Sequence, residues 1–508
     1  MSLTKRVQFL RLLNAGTSSP GVQSLILLVL YVASRALYYV LGVRFDSDPL
    51  QSSYWQCIDP KLLREEFLQS IFYLKEQMPG FNIYLGTILH LFPHHSQVAF
   101  HLTYLCLGAI LTICLFDLMN RMHINRLIAF CIVGVFIVDP GMVLYENWLF
   151  YEYPLAVLFC VATLFLHRYA SAGRNTDGFL LFSSLAAMGS LRVFYHLTWF
   201  CVIVFLLLYA LPWKRKTIYC AALPGAFLLL LYAKTFALFG ELTPGSDVYG
   251  GINLAGLTTQ SLPHATLRKL VDSGKVSPVI MAFGHCDSDS YLELWQTVPL
   301  PPKSGIRILD EVIKSSGPPC NFNMESLWMG NVGKQLHQDG SILLREYPRV
   351  ALRTIRSNVR RYFLPADSRW PFTGGERPNK RVLSFPLEIY DLLLTGKSAR
   401  YDHAVLSYLV LPSLLCFGIR EIGRRFKGAC LGSSCGLTLL FVVGNIVYLT
   451  AVVVVFAEAD QNRFRFEVSA LYALLFGLLA SALWRRLRNM RSLGIWARSN
   501  SAAEDTLY

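Results

Sequence analysis

Charged side chains are scarce in this chain of 508 residues: 16% of the residues are Asp, Glu, Lys or Arg, whereas 54% are hydrophobic. Soluble domains carry about 25% charged residues, so this composition excludes an ordinary soluble protein. The hydrophobic residues occur in long runs separated by shorter polar segments, which is typical of a chain that crosses a membrane several times. The sequence therefore predicts an all-α polytopic membrane protein.

Zinc-ligand spacing, internal repeats and long low-complexity tracts are also missing. Most of the 12 cysteines, such as Cys106 and Cys160, lie within apolar runs, where they act as small hydrophobic residues. Cys286 and Cys320 fall in one long polar segment, and their spacing does not decide between a disulfide and free thiols. The basic N-terminus has no small-residue cleavage signature, which predicts an uncleaved first span.

Ten segments have the length and composition of membrane spans, since a span needs roughly 20 mostly apolar residues. They are residues 24–43, 96–119, 126–140, 152–168, 178–194, 197–212, 217–239, 402–419, 431–456 and 467–484. The apolar segment 81–92 is too short to cross and is predicted to be re-entrant or interfacial. If it belongs to a span, the count rises to eleven.

The basic clusters beside the spans predict the orientation of the chain. With both termini in the cytosol, clusters such as "WKRK" at 213–216 and "RRLRNMR" at 485–491 all lie on the cytosolic side, as the positive-inside rule requires. The same rule accounts for the net charge of +14, so nothing in the sequence calls for a nucleic-acid partner.

This topology predicts four parts. They are an N-terminal transmembrane module (1–239) with a first outer loop (44–95), a helix-rich non-cytosolic insert packed onto the bundle (240–401), C-terminal transmembrane helices (402–490) and a cytosolic tail (491–508), disordered after Ala497. In the first outer loop, apolar and charged residues alternate with a helical period, which predicts an amphipathic helix on the membrane surface. Asp59 and Pro60 are its expected N-cap and first turn.

Charged residues near the spans concentrate at the outer face. Asp46 and Asp48 directly follow the first span. A carboxylate held at the membrane boundary is partly desolvated and gains the basicity that a general base requires. The structural alternative is an Asx turn, especially for Asp48, which precedes Pro49.

A second acidic loop follows the third span. Glu146 lies in the aromatic stretch "YENWLFYEYP" with no Lys or Arg nearby, so it either pairs with a distant cation or binds a ligand. Glu152, at the start of the next span, is a weaker candidate, and Asp139 before Pro140 is at least partly a turn signal.

The stretch "QNRFRF" at 461–466 places Arg463 and Arg465 alternately with phenylalanines. In an extended turn both guanidinium groups would face one way, and such groups bind phosphate oxygens through two hydrogen bonds. With Gln461 and Asn462 they form a predicted lipid-phosphate site. The alternative is an ion-pair latch with Glu458 or Asp460.

Two further basic features are open to two interpretations. Lys234, near the end of the seventh span, either extends to the membrane surface or contacts phosphate. An arginine series at helical spacing in the insert is predicted to be a solvated or headgroup-facing stripe. Its members are Arg345, Arg349, Arg353, Arg356, Arg360 and Arg361.

This arrangement resembles the GT-C glycosyltransferases, above all bacterial members related to the aminoarabinose and protein O-mannosyl transferases. The stretches "YWQCIDPKLLREEFLQSIFYLKEQMPGFNIYLG" and "YENWLFYEYP" are the most specific, together with the late "QNRFRF". The resemblance covers residues 24–170 and 440–484. Related sequences commonly carry prolines after the Arg-aromatic-Arg unit, whereas Glu467 and Ala470 stand here, so Glu467 is a candidate partner for one arginine.

The resemblance implies transfer of a sugar, with inversion, from a polyprenyl-phosphate or dolichyl-phosphate donor at the outer or luminal face. The acceptor would be a glycan, lipid or protein. Asp46 would be the general base, Arg463 and Arg465 would hold the lipid phosphate, and Glu146 would position the acceptor, the base or a metal. The host membrane would be a bacterial cytoplasmic membrane or the endoplasmic reticulum.

Two other functions fit the same composition. A transporter or flippase of lipid-linked or anionic substrates would also need a cationic cavity, but such proteins often contain internal repeats, and none is visible here. A non-catalytic membrane scaffold of the same fold is the third alternative. No cofactor is certain, and carboxylates without histidine partners leave a Mg²⁺ or Mn²⁺ ion open.

Overall fold

The computed structural model describes residues 19–51, 54–245, 247–281, 297–317, 321–368, 372, 377–396, 405–428, 433–457 and 461–504. Of the described residues, 76% are helical and none forms a β-strand. The all-α character predicted from the sequence is therefore confirmed.

The N-terminal part contains twelve helices in the described residues. They are α1 (Pro20–Val40), α2 (Asp48–Gln51), α3 (Pro60–Glu65), α4 (Phe67–Phe72), α5 (Pro79–Leu91), α6 (Ser96–Arg121), α7 (Arg126–Val138), α8 (Pro140–Glu146), α9 (Glu152–Ala172), α10 (Asn175–Leu191), α11 (Leu197–Ala210) and α12 (Lys214–Phe239).

The remaining helices belong to the insert and the C-terminal part. The insert has α13 (Val248–Thr259), α14 (His264–Asp272), α15 (Arg307–Asp310), α16 (Leu327–Glu346), α17 (Pro348–Tyr362), α18 (Pro378–Val382) and α19 (Ser384–Tyr390), which a π-helix continues (Asp391–Thr395). The C-terminal part has α20 (Val405–Gly428), α21 (Ser434–Phe456), α22 (Gln461–Phe466) and α23 (Ser469–Glu504). Helix α23 thus continues through most of the tail that the sequence predicts to be disordered.

Among the described residues, seven helices are long and apolar enough to cross a membrane: α1, α6, α9, α12, α20, α21 and α23. Helices α7 and α8 make an eighth candidate if they form one span, although they meet at an angle of 55°. Helix α10 has 17 residues and α11 has 14, so neither reaches that length. The count of ten spans therefore stays a prediction, and so does the role of the 13-residue helix α5.

Helix α9 is the central helix of the bundle. About 67% of its most apolar window is buried, compared with 22% for α1 and 17% for α12, and several leucines of α1 and α12 are exposed. It packs against α6, α10 and α21. Glu152 is the first residue of α9, so it lies near one end of the bundle and is surrounded by other helices. Its side chain is fully buried.

The bend between α7 and α8 has a local cause. The Asp139 side chain accepts a hydrogen bond from the Gly141 amide (2.9 Å). Pro140 occupies the first position of α8, where an N–H group would have no partner within the helix, so its absence loses no hydrogen bond. The turn predicted at Asp139 is thus present. The new direction of α8 carries Glu146 into the bundle interior.

The first outer loop differs from its predicted amphipathic helix. Asp59 is the N-cap, as predicted, but Glu66 leaves the helical conformation and divides the segment into α3 and α4. Glu65 and Glu66 both pair with Arg307 of the insert (2.9 Å each), so part of the polar face contacts protein. Lys75 and Glu76, at the end of this segment, are buried together in an ion network, because the insert covers this end of the loop.

The insert is packed onto the bundle. Helices α13 and α16 cross so closely that a Cβ atom at Gly251 would lie 2.1 Å from the carbonyl oxygen of Gly333. Helix α17 in turn contacts α21 and α22. Cys286 and Cys320, with their predicted alternatives, lie outside the described residues.

Candidate functional site

The chain segment after α1 is tied to the loop after α8. The Asp46 amide donates to the carbonyl of Asn147 (2.7 Å), and the Leu149 amide donates to the carbonyl of Asp46 (2.9 Å). These bonds form an isolated parallel bridge between Asp46 and Trp148. Two parts of the sequence that were both predicted to lie at the outer face, the first carboxylate group and the "YENW" loop, are thus adjacent.

The Asp46 carboxylate has two partners. One oxygen accepts the Asp48 amide (2.9 Å), which is an Asx turn, and the other accepts Nη1 of Arg377 (2.9 Å). Asp48 accepts from the same Nη1 atom (2.9 Å). The Asp46 side chain is 22% exposed and that of Asp48 is 50% exposed, so Asp46 is the more desolvated carboxylate. Burial raises the pKa of Asp46, while the Asp48 amide and Arg377 oppose that increase.

Arg377 was not among the residues predicted for the site. Its Nη2 atom also donates to the Tyr54 hydroxyl (3.0 Å), so one guanidinium group connects three side chains of the first outer loop. The segment that contains it is 331 residues from Asp46 and has no apolar pattern that would place it at the bundle. The one signal in the sequence was its positive charge in a segment predicted to lie at the outer face.

Glu146 pairs with a distant cation, which is the first of its two predicted alternatives. Its carboxylate accepts Nε (2.8 Å) and Nη2 (2.7 Å) of Arg35, and it also accepts the Tyr153 hydroxyl (2.6 Å). The side chain is fully buried. Arg35 lies within α1, where a lone arginine is the signal that sequence reasoning missed. Glu146 is therefore held by three hydrogen bonds in the bundle interior.

A second buried charge cluster surrounds the start of α9. A Glu152 oxygen lies 3.4 Å from Nη1 of Arg463 and 3.7 Å from Nη1 of Arg192. Both oxygens of Glu152 are buried, and neither has a hydrogen-bond partner within the described part of the chain. Arg463 also lies over the Phe150 ring (5.4 Å) and the Phe464 ring (4.7 Å).

Glu467 completes this cluster. It accepts hydrogen bonds from Arg192 and from the Tyr195 hydroxyl, and it is fully buried. The sequence predicts Glu467 as a partner for an arginine of the "QNRFRF" stretch; its hydrogen-bonded ion pair is with Arg192, and Arg463 acts on it electrostatically. The cluster contains two arginines and two glutamates, so the formal charges balance without a ligand.

The conformation of "QNRFRF" also differs from its prediction. The stretch forms the helix α22, in which residues two apart point in directions about 200° apart, so Arg463 and Arg465 face different ways. Arg465 donates to the carbonyl of Leu364 (2.7 Å). Glu458 and Asp460, the acidic partners in the latch alternative, lie outside the described residues.

The other side chains predicted to bind phosphate donate hydrogen bonds to backbone carbonyl oxygens. Asn462 donates to Pro365 (2.7 Å) and Gln461 to Ala457 (3.0 Å). Lys234 donates to the carbonyl of Leu74 (2.6 Å) in the first outer loop, so it neither extends to the surface nor reaches the arginines. These contacts fix the chain around α22.

An aromatic layer separates the two charged groups. The Tyr54 ring packs against Trp148 (5.9 Å) and Phe150 (5.3 Å), and its hydroxyl contacts Arg377. Arg463 lies beyond Phe150 and still acts electrostatically on Tyr54. Arg377, Tyr54 and Phe150 thus connect the partly exposed Asp46 to the buried Arg463.

Two other features lie apart from this arrangement. A cavity of about 450 Å³ opens between α3 and the segment 315–317, and none of the predicted site residues lines it. Within the described ranges, no group of three His, Cys, Asp or Glu side chains could hold a metal ion. The candidate site is therefore the Asp46, Asp48, Arg377 and Tyr54 group, with the Glu152 cluster behind it.

Comparison of the chain with protein-family models, with curated proteins and with solved structures found no match.

Proposed function

We propose that this protein is a membrane glycosyltransferase of the GT-C type, which transfers a sugar from a polyprenyl-phosphate or dolichyl-phosphate donor to an acceptor hydroxyl. The observation that carries the proposal is the environment of Asp46. This carboxylate lies six residues after a membrane-spanning helix, is largely buried, and has an arginine as its partner. The sequence resemblance assigns the general base to the same residue.

The proposed reaction is a single displacement. Asp46 takes the proton of the acceptor hydroxyl while the acceptor oxygen forms a bond to the anomeric carbon of the sugar. The bond between that carbon and the phosphate oxygen breaks, its electron pair leaves with the lipid phosphate, and the configuration inverts. A carboxylate with a raised pKa suits this step, because it is a stronger base than an exposed aspartate.

Arg377 is the cation best placed to receive the phosphate. Its side chain is 21% exposed, whereas that of Arg463 is 5% exposed behind Phe150. A phosphate group would compete with Asp46 and Asp48 for the guanidinium group, since forked donors bind phosphate strongly. Binding of the donor would then release Asp46 from its ion pair as the leaving group gains a partner.

Arg463 and Arg465 take a different part in this mechanism from the one that the resemblance implies. Arg463 would supply positive potential from behind the aromatic layer, and Arg465 would hold the carbonyl of Leu364 and so fix the neighbouring chain. Glu146, held by Arg35, would keep α1 and α8 together and so position Asp46 and Trp148.

The test is sugar transfer by the purified full chain in lipid nanodiscs, with a polyprenyl-phosphate sugar as donor and release of lipid phosphate as the readout. Asp46→Asn should lower kcat about 100-fold or more, as expected for loss of a general base. Asp48→Asn is the matched control, because it removes a carboxylate that shares Arg377 but is half exposed.

The control should lose less than about 10-fold, since it leaves the base in place. Equal loss in both variants would assign the effect to the shared arginine, and intact transfer by Asp46→Asn would reject Asp46 as the base. Movement of the intact lipid-linked sugar across the bilayer, without release of lipid phosphate, would support a flippase instead.

A further inference from the structure

Helix α17, "PRVALRTIRSNVRRY", contains five arginines and no acidic residue. Four of them are exposed and share one side of the helix, because successive residues turn by 100° and these four fall within roughly 60°. We call Arg349, Arg353, Arg356 and Arg360 the arginine ridge. None of the four forms an ion pair within the described part of the chain.

Exposed aliphatic side chains lie beside the ridge. Leu352 is 65% exposed and Val359 is 39% exposed, and the helical period puts both on the same flank of the arginines. The opposite face packs against protein through residues such as Val350, Thr354 and Asn358. The free side of α17 is therefore basic in the middle and apolar along one edge.

The C-terminal half of α17 is fixed to the ends of two membrane-spanning helices. Asn358 donates to the carbonyls of Val454 (3.1 Å) and Ala457 (3.3 Å), where α21 ends. The Tyr408 hydroxyl, near the start of α20, donates to the carbonyl of Arg360 (3.0 Å). Because a span ends where the hydrocarbon layer ends, these contacts bring the ridge to the level of the lipid headgroups.

Neither ion pairing nor topology accounts for the ridge. The positive-inside rule concerns short loops, whereas α17 belongs to the long insert 240–401. The exposed side chain of Leu352 is unfavourable in water, but it would be favourable at the boundary of the acyl chains. A flat guanidinium group binds phosphate oxygens through two hydrogen bonds.

We infer that the arginine ridge of α17 binds the phosphate groups of anionic phospholipids in the leaflet at this end of the bundle. The ridge faces lipid headgroups, with Leu352 and Val359 directed toward the acyl region. This lipid contact would hold the insert against the membrane. The inference does not depend on sugar transfer, since it concerns the bilayer and not a substrate.

The experiment uses the full chain in phosphatidylcholine nanodiscs that contain a small fraction of spin-labelled lipid, either phosphatidylglycerol or phosphatidylcholine. Electron paramagnetic resonance gives the fraction of each lipid immobilised at the protein, and the ratio of the two measures the preference for anionic lipid. Arg353→Gln with Arg356→Gln should lower this ratio, by up to about fivefold for each arginine removed. Added salt should lower the ratio of the unmodified chain, and it should lower the ratio of the variant less, because Arg349 and Arg360 remain.

Two matched variants make the result specific. Arg268→Gln with Lys269→Gln removes the same charge from exposed positions on α14, elsewhere in the insert, and should leave the ratio unchanged. Arg353→Lys with Arg356→Lys keeps the charge and should retain most of the preference. An unchanged ratio in the first variant, as expected if the ridge faces water or an acidic protein, would overturn the inference. An equal loss in the α14 control would assign the preference to total charge and would overturn it as well.

Discussion

Arg377 holds three side chains of the first outer loop, Asp46, Asp48 and Tyr54, through one guanidinium group. Burial raises the pKa of Asp46, and the positive charge of Arg377 acts in the opposite direction. The basicity of the proposed general base therefore depends on a residue of the insert, more than 300 positions away in the sequence.

Arg377→Gln should move the acid limb of the pH profile of kcat/KM to higher pH. The positive charge favours the ionised form of Asp46, so its removal raises the pKa of that carboxyl further, and the base becomes active only at a higher pH. The expected shift is about 1 unit or more. The measurement is initial rates of lipid-phosphate release at limiting donor between pH 4 and pH 9.

Arg381→Gln is the control for this shift, because Arg381 is exposed and lies one helical turn away. It should leave the acid limb in place. If the limb stays unchanged in Arg377→Gln as well, the group that titrates in the profile is not Asp46.

A different carboxyl, Glu76, should make the stability of the protein depend on pH. Burial raises its pKa to about 8, while nearby Lys75 lowers it. An unfolded chain releases this proton near pH 4.3, so between about pH 4.3 and pH 8 the folded state binds more protons. The contribution of Glu76 to stability is greatest below this window and falls across it as pH rises, by at most about 1.4 kcal/mol per pH unit.

Glu76→Gln should remove that part of the slope. The midpoint of thermal unfolding, measured in the same nanodiscs at several pH values, gives the comparison. Glu388→Gln, an exposed carboxyl in α19, should keep the slope of the unmodified chain. A slope that survives in Glu76→Gln would mean that other buried groups cause it.

The residues of the candidate site could be predicted from the sequence only in part. Asp46 and Glu146 were found because a carboxylate beside a span is conspicuous, but their cations, Arg377 and Arg35, were not. Such pairing depends on tertiary packing between distant segments, 331 and 111 residues apart, and no local pattern encodes it. Glu152 was treated as a weaker candidate, although it lies between two arginines.

At the scale of helices, the crossing of α13 and α16 sets the geometry of the insert. Gly251 and Gly333 allow the two backbones to approach so closely that no side chain fits between them. The neighbouring Gly250 has open space around its Cα atom. Two adjacent glycines of one helix therefore have different structural roles.

Gly251→Ala should destabilise the protein, whereas Gly250→Ala should not. The added methyl group at Gly251 would meet the Gly333 carbonyl, which cannot move without displacing α16, and overpacking of this kind costs about 1 to 3 kcal/mol or more. At Gly250 the methyl group meets nothing and alanine favours the helix by up to about 1 kcal/mol. Thermal unfolding of both variants checks this, and equal midpoints would exclude a close crossing.

The helices themselves followed well from hydrophobic runs, because a run of the right length predicts a helix without knowledge of its neighbours. Two local conformations did not follow. Glu66 interrupts the predicted surface helix where it pairs with Arg307, and "QNRFRF" is helical where alternation suggested an extended turn. In both places contacts with the insert or the adjoining turn outweigh the local pattern.

At the scale of the whole molecule, α12 should separate the cytosolic face from the insert. Arg215 lies at one end of this helix and Lys269 lies in the insert beyond its other end, and both are exposed. In sealed vesicles, a membrane-impermeant maleimide should label Arg215→Cys from one side and Lys269→Cys from the other. The chain without an added cysteine gives the background.

Labelling of both positions from the same side would mean that α12 does not cross the membrane. The predicted orientation would then be wrong for every segment after it. The count of spans before α12 would still be open, because α10 and α11 are shorter than the helices that clearly qualify.

The buried ion cluster at the start of α9 has a consequence for biosynthesis. Arg192 is hydrogen-bonded to Glu467, which the ribosome adds 275 residues later, or roughly 15 to 55 s at ordinary rates of translation. During that interval Glu152, made 40 residues before Arg192, is the cluster carboxylate already available to the arginine. Glu152 thus gives the nascent chain an early counter-ion for Arg192. Glu467 completes the cluster only when the last helices are inserted.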